Sequence, residues 1–320
     1  MIEILQTVFS ATFFVTIIRT TTPLLLATLG GLIADLSGAL NVALEGQMLV
    51  GCLTAVIVSV YAPWYVAVLA GLAAGGLLGI VMAFFAYRLK ADIILVGFAI
   101  NIFAAGGTVF ALALATGGDK GTSINLQSKA IPAVDLSLLD AIPAIGPLLK
   151  SFLSGHSVLS WVAALLVFGV WYFLYRTPWG LWLRGVGEYP AAPEAAGIPV
   201  ARVRTLSLVV SGALAGMGGA QLAMFNYVGF TRDMTAGRGF IALAALILGK
   251  WRPLPAALAC LLFGLTDAAQ IRLQGIELPG IGAVPVQFIQ ILPYVVTLVV
   301  LAGFVGTARA PKALGEPLPT

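Results

Sequence analysis

Asn41 and Glu45 stand four residues apart in NVALEGQMLVG (41–51), a stretch that is otherwise mostly apolar. At that spacing both side chains share one face of a helix. Asn101 lies in the middle of another apolar segment, with Thr108 seven residues later on the same side. Asp267 and Gln270 are three apart in a third segment. Gln287, Gln290, Tyr294 and Thr297 follow an i, i+3, i+7, i+10 pattern, which draws one polar stripe along a helix. Amides and a phenol arranged this way suit an uncharged, hydrogen-bonding solute better than an ion, so Asn41, Glu45, Asn101 and the 287–297 stripe are the candidate solute path. The competing reading is that these groups bond one another and pin helices together; it stays open, most of all for Glu45 and Asp267.

Catalysis fits poorly. The single histidine, His156, falls in a connection beside a helix start and reads as a surface residue, and no His, Asp and Glu residues cluster as a metal site would require. Gly249-Lys250 is followed by Trp251 and lacks the earlier glycine of a phosphate-binding loop, so any use of ATP needs another polypeptide.

The elements that carry these residues are set by the solvent. The chain is 60% hydrophobic and 9% charged, against roughly 25% charged in an average soluble domain. Several segments approach or exceed the ~20 apolar residues that cross a bilayer core. The chain reads as an all-α polytopic membrane protein, one transmembrane domain over 1–320. Ten hydrophobic segments are legible: 3–18, 22–34, 41–61, 63–87, 92–116, 157–175, 205–226, 239–249, 254–271 and 285–306. About eight to ten of them form the transmembrane bundle. Segments 22–34 and 239–249 are too short to span untilted and suggest half-helices, tolerated where protein or a water-filled path shields the backbone. The first apolar stretch has no basic leader and reads as a membrane helix.

Net charge is +4, but the charges sit singly or in pairs at segment ends, which reports topology and not nucleic-acid binding. With alternating segments, Arg88/Lys90, the Arg176–Arg204 region, Lys250/Arg252 and Arg309/Lys312 share one side, which the positive-inside tendency makes cytoplasmic. Both termini are then expected there, and the 117–156 connection faces outward. Cys52 and Cys260 read as buried free thiols. Gly71, Gly75 and Gly79, like Gly212, Gly216 and Ala220, repeat every four residues and mark close helix packing. NVALEGQMLVG (41–51) is echoed by GFIALAALILG (239–249), a faint internal repeat.

One island breaks the apolar pattern. RGVGEYPAAPEAAGIPVARVR (184–204) carries prolines, glycines and five charges, within a cytoplasmic loop of 177–204. R184-G-V-G-E188-x-P190-A-A, with A-A-G197-I-P-V and then SGALAGMGGA (211–220), resembles permeases of bacterial ABC importers, in the branched-chain amino acid, simple sugar and nucleoside permease family. GRGFIALAALILGKWRP (237–253) and PLLLATLGGLIADLSGALNVALEGQMLVG (23–51) resemble its nucleoside-type members, and the chain resembles the shorter of their two permeases. The resemblance implies a non-enzymatic pore subunit, multi-pass in the bacterial inner membrane, that moves a nucleoside or related solute by alternating access. A sugar or branched-chain amino acid is the alternative solute, and an ion-coupled secondary transporter the alternative class. It further implies an ATPase subunit that binds ATP and Mg, a second, longer permease, a solute-binding lipoprotein or periplasmic protein, and no cofactor in this chain. Arg184, Gly187, Glu188, Pro190 and Gly197 would form the ATPase-coupling element, with Gly187 and Gly197 allowing tight turns and the arginines meeting the ATPase or anionic lipid.

Overall fold

The computed structural model describes residues 11–135, 154–273, 277–278, 282–283, 291, 295, 299 and 309–318. Among them, seven helices are long and apolar enough to cross a bilayer, and one apolar helix is shorter. In chain order the helices are α1 (Ala11–Leu36), α2 (Leu44–Tyr61), α3 (Trp64–Ala83), α4 (Ile93–Thr116), α5 (Val158–Arg176), α6 (Pro178–Glu188), α7 (Ala191–Ala195), α8 (Val200–Gln221), α9 (Arg238–Leu248) and α10 (Pro253–Leu273). Single π-helical turns, Phe84–Arg88 and Leu222–Asn226, extend α3 and α8. Two short antiparallel ladders complete the described structure: β1 (Ala133–Val134) with β2 (His156–Ser157), and β3 (Glu277–Leu278) with β4 (Gly282–Ala283).

Helix starts follow their local sequence. Asp92 accepts the Ile94 and Leu95 N–H groups at 2.8 and 3.0 Å and starts α4. Ser157 and Thr177 cap α5 and α6 through the Ser160 and Gly180 N–H groups, and Pro178 occupies the first turn of α6, where its missing N–H costs nothing.

Helix α8 is the axis of the bundle and packs against α1, α2 and α3. The spaced glycines make that possible. A Cβ on Gly75 would run into the Gly212 carbonyl oxygen, and one on Gly212 into that of Gly75. Backbones that close leave no room for any side chain but hydrogen, so the stripes face each other as small-residue interfaces do in membranes. Cys52 and Cys260 are buried free thiols, their Sγ atoms within 3.1 and 3.2 Å of the Gly219 carbonyl oxygen and the Thr28 hydroxyl.

Three expectations are corrected. Segments 3–18 and 22–34 do not form two elements: α1 runs unbroken from Ala11 through Pro23 to Leu36. Thr20-Thr21-Thr22 and the proline look like a break, yet Thr20 and Thr22 bond back to the carbonyls of residues 16 and 18, and across to the Gly264 carbonyl and the Ser160 hydroxyl. A polar run is thereby absorbed into the helix. In consequence α1 starts at the end opposite the Lys/Arg-rich one, where Thr12 accepts from Arg272 and Arg19 donates to the Phe225 and Asn226 carbonyls. The even alternation of segments therefore fails at α1, where one helix stands in place of two segments. Finally, His156 is buried in the β1–β2 ladder, edge-on to Trp161, and not a surface residue.

Segment 285–306, with Gln287, Gln290, Tyr294 and Thr297, lies outside the described residues apart from Ile291, Val295 and Val299, which are helical and exposed.

Candidate functional site

Two regions hold the residues singled out by the sequence. The first lies at the break between α1 and α2. Helix α9, at 11 residues and ~1.5 Å per residue, reaches about half of a ~30 Å hydrocarbon core. Its N-terminus meets the N-terminus of α2: a Cβ on Gly239 would collide with the Glu45 backbone. The Glu45 carboxylate sits in the gap. Its Oε1 accepts the Gly237 N–H at 2.8 Å and its Oε2 the Gly239 N–H at 2.6 Å. One carboxylate thus caps α9 while standing in the first turn of α2, so two positive helix ends converge on one negative charge.

Neighbouring polar groups hold the same break. Asn101, reaching in from α4, accepts the Gly46 N–H at 2.8 Å and donates to the Val42 carbonyl at 3.0 Å. Asn41 is fully buried and uses its whole amide inside the protein. It donates to Gln47 Oε1 at 2.9 Å and to the Ser211 hydroxyl at 2.8 Å, and it accepts the Ala43 N–H at 3.1 Å. Thr108, expected beside Asn101, turns its hydroxyl onto the Ala104 carbonyl. Asp267 pairs with Arg238 across 3.8 Å, and both side chains are largely buried. Arg238 also donates to the Met234 and Thr235 carbonyls. The structure therefore brings Asn41, Glu45 and Asn101 together around one discontinuity, with Glu45 and Asn101 half-buried beside it.

The loop that descends into α9 is strained. Val228, Asp233 and Ala236 have positive φ angles of 50°, 56° and 45°, a region that non-glycine residues rarely adopt. It is zipped to the 117–135 connection: Phe230 and Ser123 exchange hydrogen bonds, Arg232 donates its N–H to Gly121, and Thr122 bridges Thr231.

The second region is the basic end. Helix α6 lies there, with Leu183, Val186 and Gly187 inward, and a turn at Tyr189 leads into α7. Pro190 precedes the first residue of α7, and Gly197, at φ +80°, closes the turn back to α8. Ala191, Ala192, Glu194, Ala195 and Ala196 form an exposed crest. The expected roles divide. Gly197 does serve a turn. Gly187 does not: it is helical and packs so tightly on Leu36 that a Cβ would strike the Leu36 carbonyl oxygen. Arg184 is half-buried and stacks on Tyr175 with its guanidinium 4.8 Å from the ring centre. Glu188 is exposed and faces Lys312 at 3.8 Å.

Arg204, grouped by sequence with the cytoplasmic arginines expected to meet the ATPase or anionic lipid, is wholly buried. It donates to the carbonyls of Ser37 at 3.2 Å, Ala313 at 3.3 Å and Glu316 at 2.6 Å. The Ala313 N–H in turn reaches the Gly187 carbonyl at 2.9 Å, and the Gly315 N–H the Gly38 carbonyl at 3.0 Å. Residues 311–317 thus strap together the α1–α2 turn, the end of α6 and the start of α8. Sequence reasoning missed this, although 204, 208, 212 and 216 form one four-residue series that carries Arg204 onto the buried face of α8. It also missed the indole N–H of Trp251 donating to Asp35 at 2.9 Å, which ties the end of α9 to α1.

Among the described residues, seven spans, a half-helix capped inside the bundle and an exposed helical crest at the basic end make a polytopic membrane protein. The family model described as branched-chain amino acid transport system / permease component matches residues 13–302, and the chain belongs to that family. It is 37% identical to the guanosine ABC transporter permease protein NupQ of Bacillus subtilis, with 92% of each chain covered. It is also 37% identical to the nucleoside ABC transporter permease protein NupC of Lactococcus lactis subsp. cremoris, again over 92% of each. The putative glucose ABC transporter permease protein TsgC13 of Haloferax volcanii is 34% identical over 82% of this chain and 77% of its own. No solved structure matches the chain. The chain is a permease subunit of an ABC importer.

Proposed function

We propose that the transported solute is a nucleoside, and that a separate ATPase drives its passage by docking on α7. The observation that carries the solute class is the likeness, at 37% identity over 92% of the chain, to two permeases named for guanosine and nucleosides. The dock rests on geometry: the crest 191–197 is exposed, rigidly based on α6 and located at the end where Lys and Arg collect. That end is cytoplasmic by the positive-inside tendency, in a bacterial inner membrane. ATP and Mg belong to the ATPase. A second, longer permease completes the pore, and a solute-binding lipoprotein or periplasmic protein delivers the nucleoside to the opposite end, where 117–135 and 227–237 are zipped together.

Within this reading each part has a step. Closure of the ATPases pushes α7; Gly187 on Leu36 transmits the push to the α1–α2 turn, and thence to the break held by Asn41, Glu45 and Asn101. Glu45 and Asn101 border the solute path, and Gln287, Gln290, Tyr294 and Thr297 are proposed to line it. Bonds to the solute stay weak, because a tight site would trap what the binding protein delivers. The test is uptake of radiolabelled guanosine into proteoliposomes that hold the full transporter and internal ATP. ATP-dependent accumulation, competed by other nucleosides but not by glucose or leucine, is expected. Accumulation of glucose or leucine in place of guanosine would overturn the solute assignment.

A further inference from the structure

A groove on the outer wall of the bundle has no role in the reading above. It lies beneath α6, between α5 and α8, and its volume is about 390 Å³. Leu166, Val170 and Phe173 form one wall, Val203, Leu206 and Val210 the other. Each wall extends about two helical turns, ~11 Å along the helix. Ser207 is the single polar side chain among the lining residues. Trp179 and Trp182 of α6 close the end of the groove nearest the basic face, their rings edge-to-face at 4.8 Å. Among the described residues neither indole N–H has a hydrogen-bond acceptor.

Three arginines stand on the elements around that closed end. Arg202 is exposed one turn below Leu206 on the same face of α8. Arg184 follows the lining residue Leu183, and its Nε is buried without an acceptor. Arg176 ends α5, stacked on Trp171. Among the described residues none of the three has a carboxylate partner, since the two ion pairs present use Arg238 and Lys312. Apolar walls at membrane depth, indoles at the interface and unpaired guanidinium groups beyond them are the chemistry of an amphiphile with an anionic head. A second protein chain would instead have to bring carboxylates to the same level.

We propose that this groove binds one anionic phospholipid, an acyl chain between α5 and α8 and the phosphodiester among Trp179, Trp182, Arg184 and Arg202. The lipid braces α6, and through it the base of the α7 crest.

The test is native mass spectrometry of the full transporter, purified with its subunits and equilibrated with phosphatidylglycerol and phosphatidylcholine of equal chain length. The wild type is expected to retain phosphatidylglycerol in preference, by about fivefold for each arginine engaged. Arg184→Gln with Arg202→Gln should bring the two lipids to parity, and Val210→Trp, which fills the groove from an accessible position, should retain neither. Arg202→Gln alone changes only an exposed side chain, so it reports on the preference even if the double variant fails to assemble. Equal retention by the wild type, a preference that survives Arg202→Gln undiminished, or a Val210→Cys cross-link to another subunit would overturn the proposal.

Discussion

The break at Glu45 and the crest at α7 treat polar groups in opposite ways. Around Glu45 polar side chains are turned inward and mostly onto backbone: the carboxylate to Gly237 and Gly239, Asn101 to Gly46 and Val42, and Asn41 to Ala43 as well as to the Gln47 and Ser211 side chains. On the crest, Glu194 and the small residues beside it are offered to solvent. The difference follows from the surroundings. Inside a bilayer an interrupted helix exposes N–H and C=O groups that lipid cannot satisfy, so side chains must do so. At the membrane surface water satisfies them, and side chains are left for a partner. A polar residue in this chain therefore reports either a repaired backbone or a recognition surface, according to depth.

Substitutions can break or sharpen that contrast. The largest effect is expected from Glu45→Leu, which strands two helix N–H groups and removes the charge between two helix ends. A loss of about 2–5 kcal/mol follows from stranding two buried donors, read as a fall in Tm of the detergent-solubilised protein. Glu45→Gln, which keeps one acceptor, should lose about half as much. Equal stability of Glu45→Leu and wild type would show that the carboxylate is not the cap. Next comes deletion of 311–318, which strips the Ala313 and Glu316 carbonyls from a buried guanidinium. A loss of about 1–3 kcal/mol is expected, together with faster proteolysis at α6–α7. Unchanged proteolysis would show that the strap does not hold α6 and α7.

On the crest the order of effects reverses. Glu194→Lys should alter stability by no more than about 0.5 kcal/mol, as surface changes usually do, yet reduce both uptake and ATPase co-purification. If uptake persists unchanged, α7 is not the dock. The smallest effect belongs to Glu188→Gln. Its pair with Lys312 is exposed on both sides, where such pairs contribute about 0–1 kcal/mol. A Tm within error of wild type is expected.

Much of this was readable from the chain. Apolar length gave most of the spans, the brevity of 239–249 gave the half-helix though that of 22–34 did not, and the four-residue glycine series marked close packing without naming α3 and α8 as partners. The gathering of Asn41, Glu45 and Asn101 was legible as polarity in an apolar context, but not as backbone repair, because the N–H groups they satisfy belong to residues up to 194 positions away. The polar gap at 19–21 misled for a related reason: the Thr20 and Thr22 hydroxyls supply bonds that local propensity does not count. Arg204 misled because an arginine near a segment end is usually solvated, and it is buried here on the Ser37 carbonyl and the carbonyls of a distant tail, 109 to 112 residues on.

The central claim, that an ATPase docks on the α7 crest at the basic end, is tested most directly by cysteine cross-linking in membranes that contain the co-expressed transporter. The two native cysteines are buried, so introduced ones report cleanly. Ala192→Cys should cross-link to the ATPase subunit, and Thr122→Cys, at the opposite end, should not. Cross-linking of the ATPase to Thr122→Cys, or to neither position, would contradict the account.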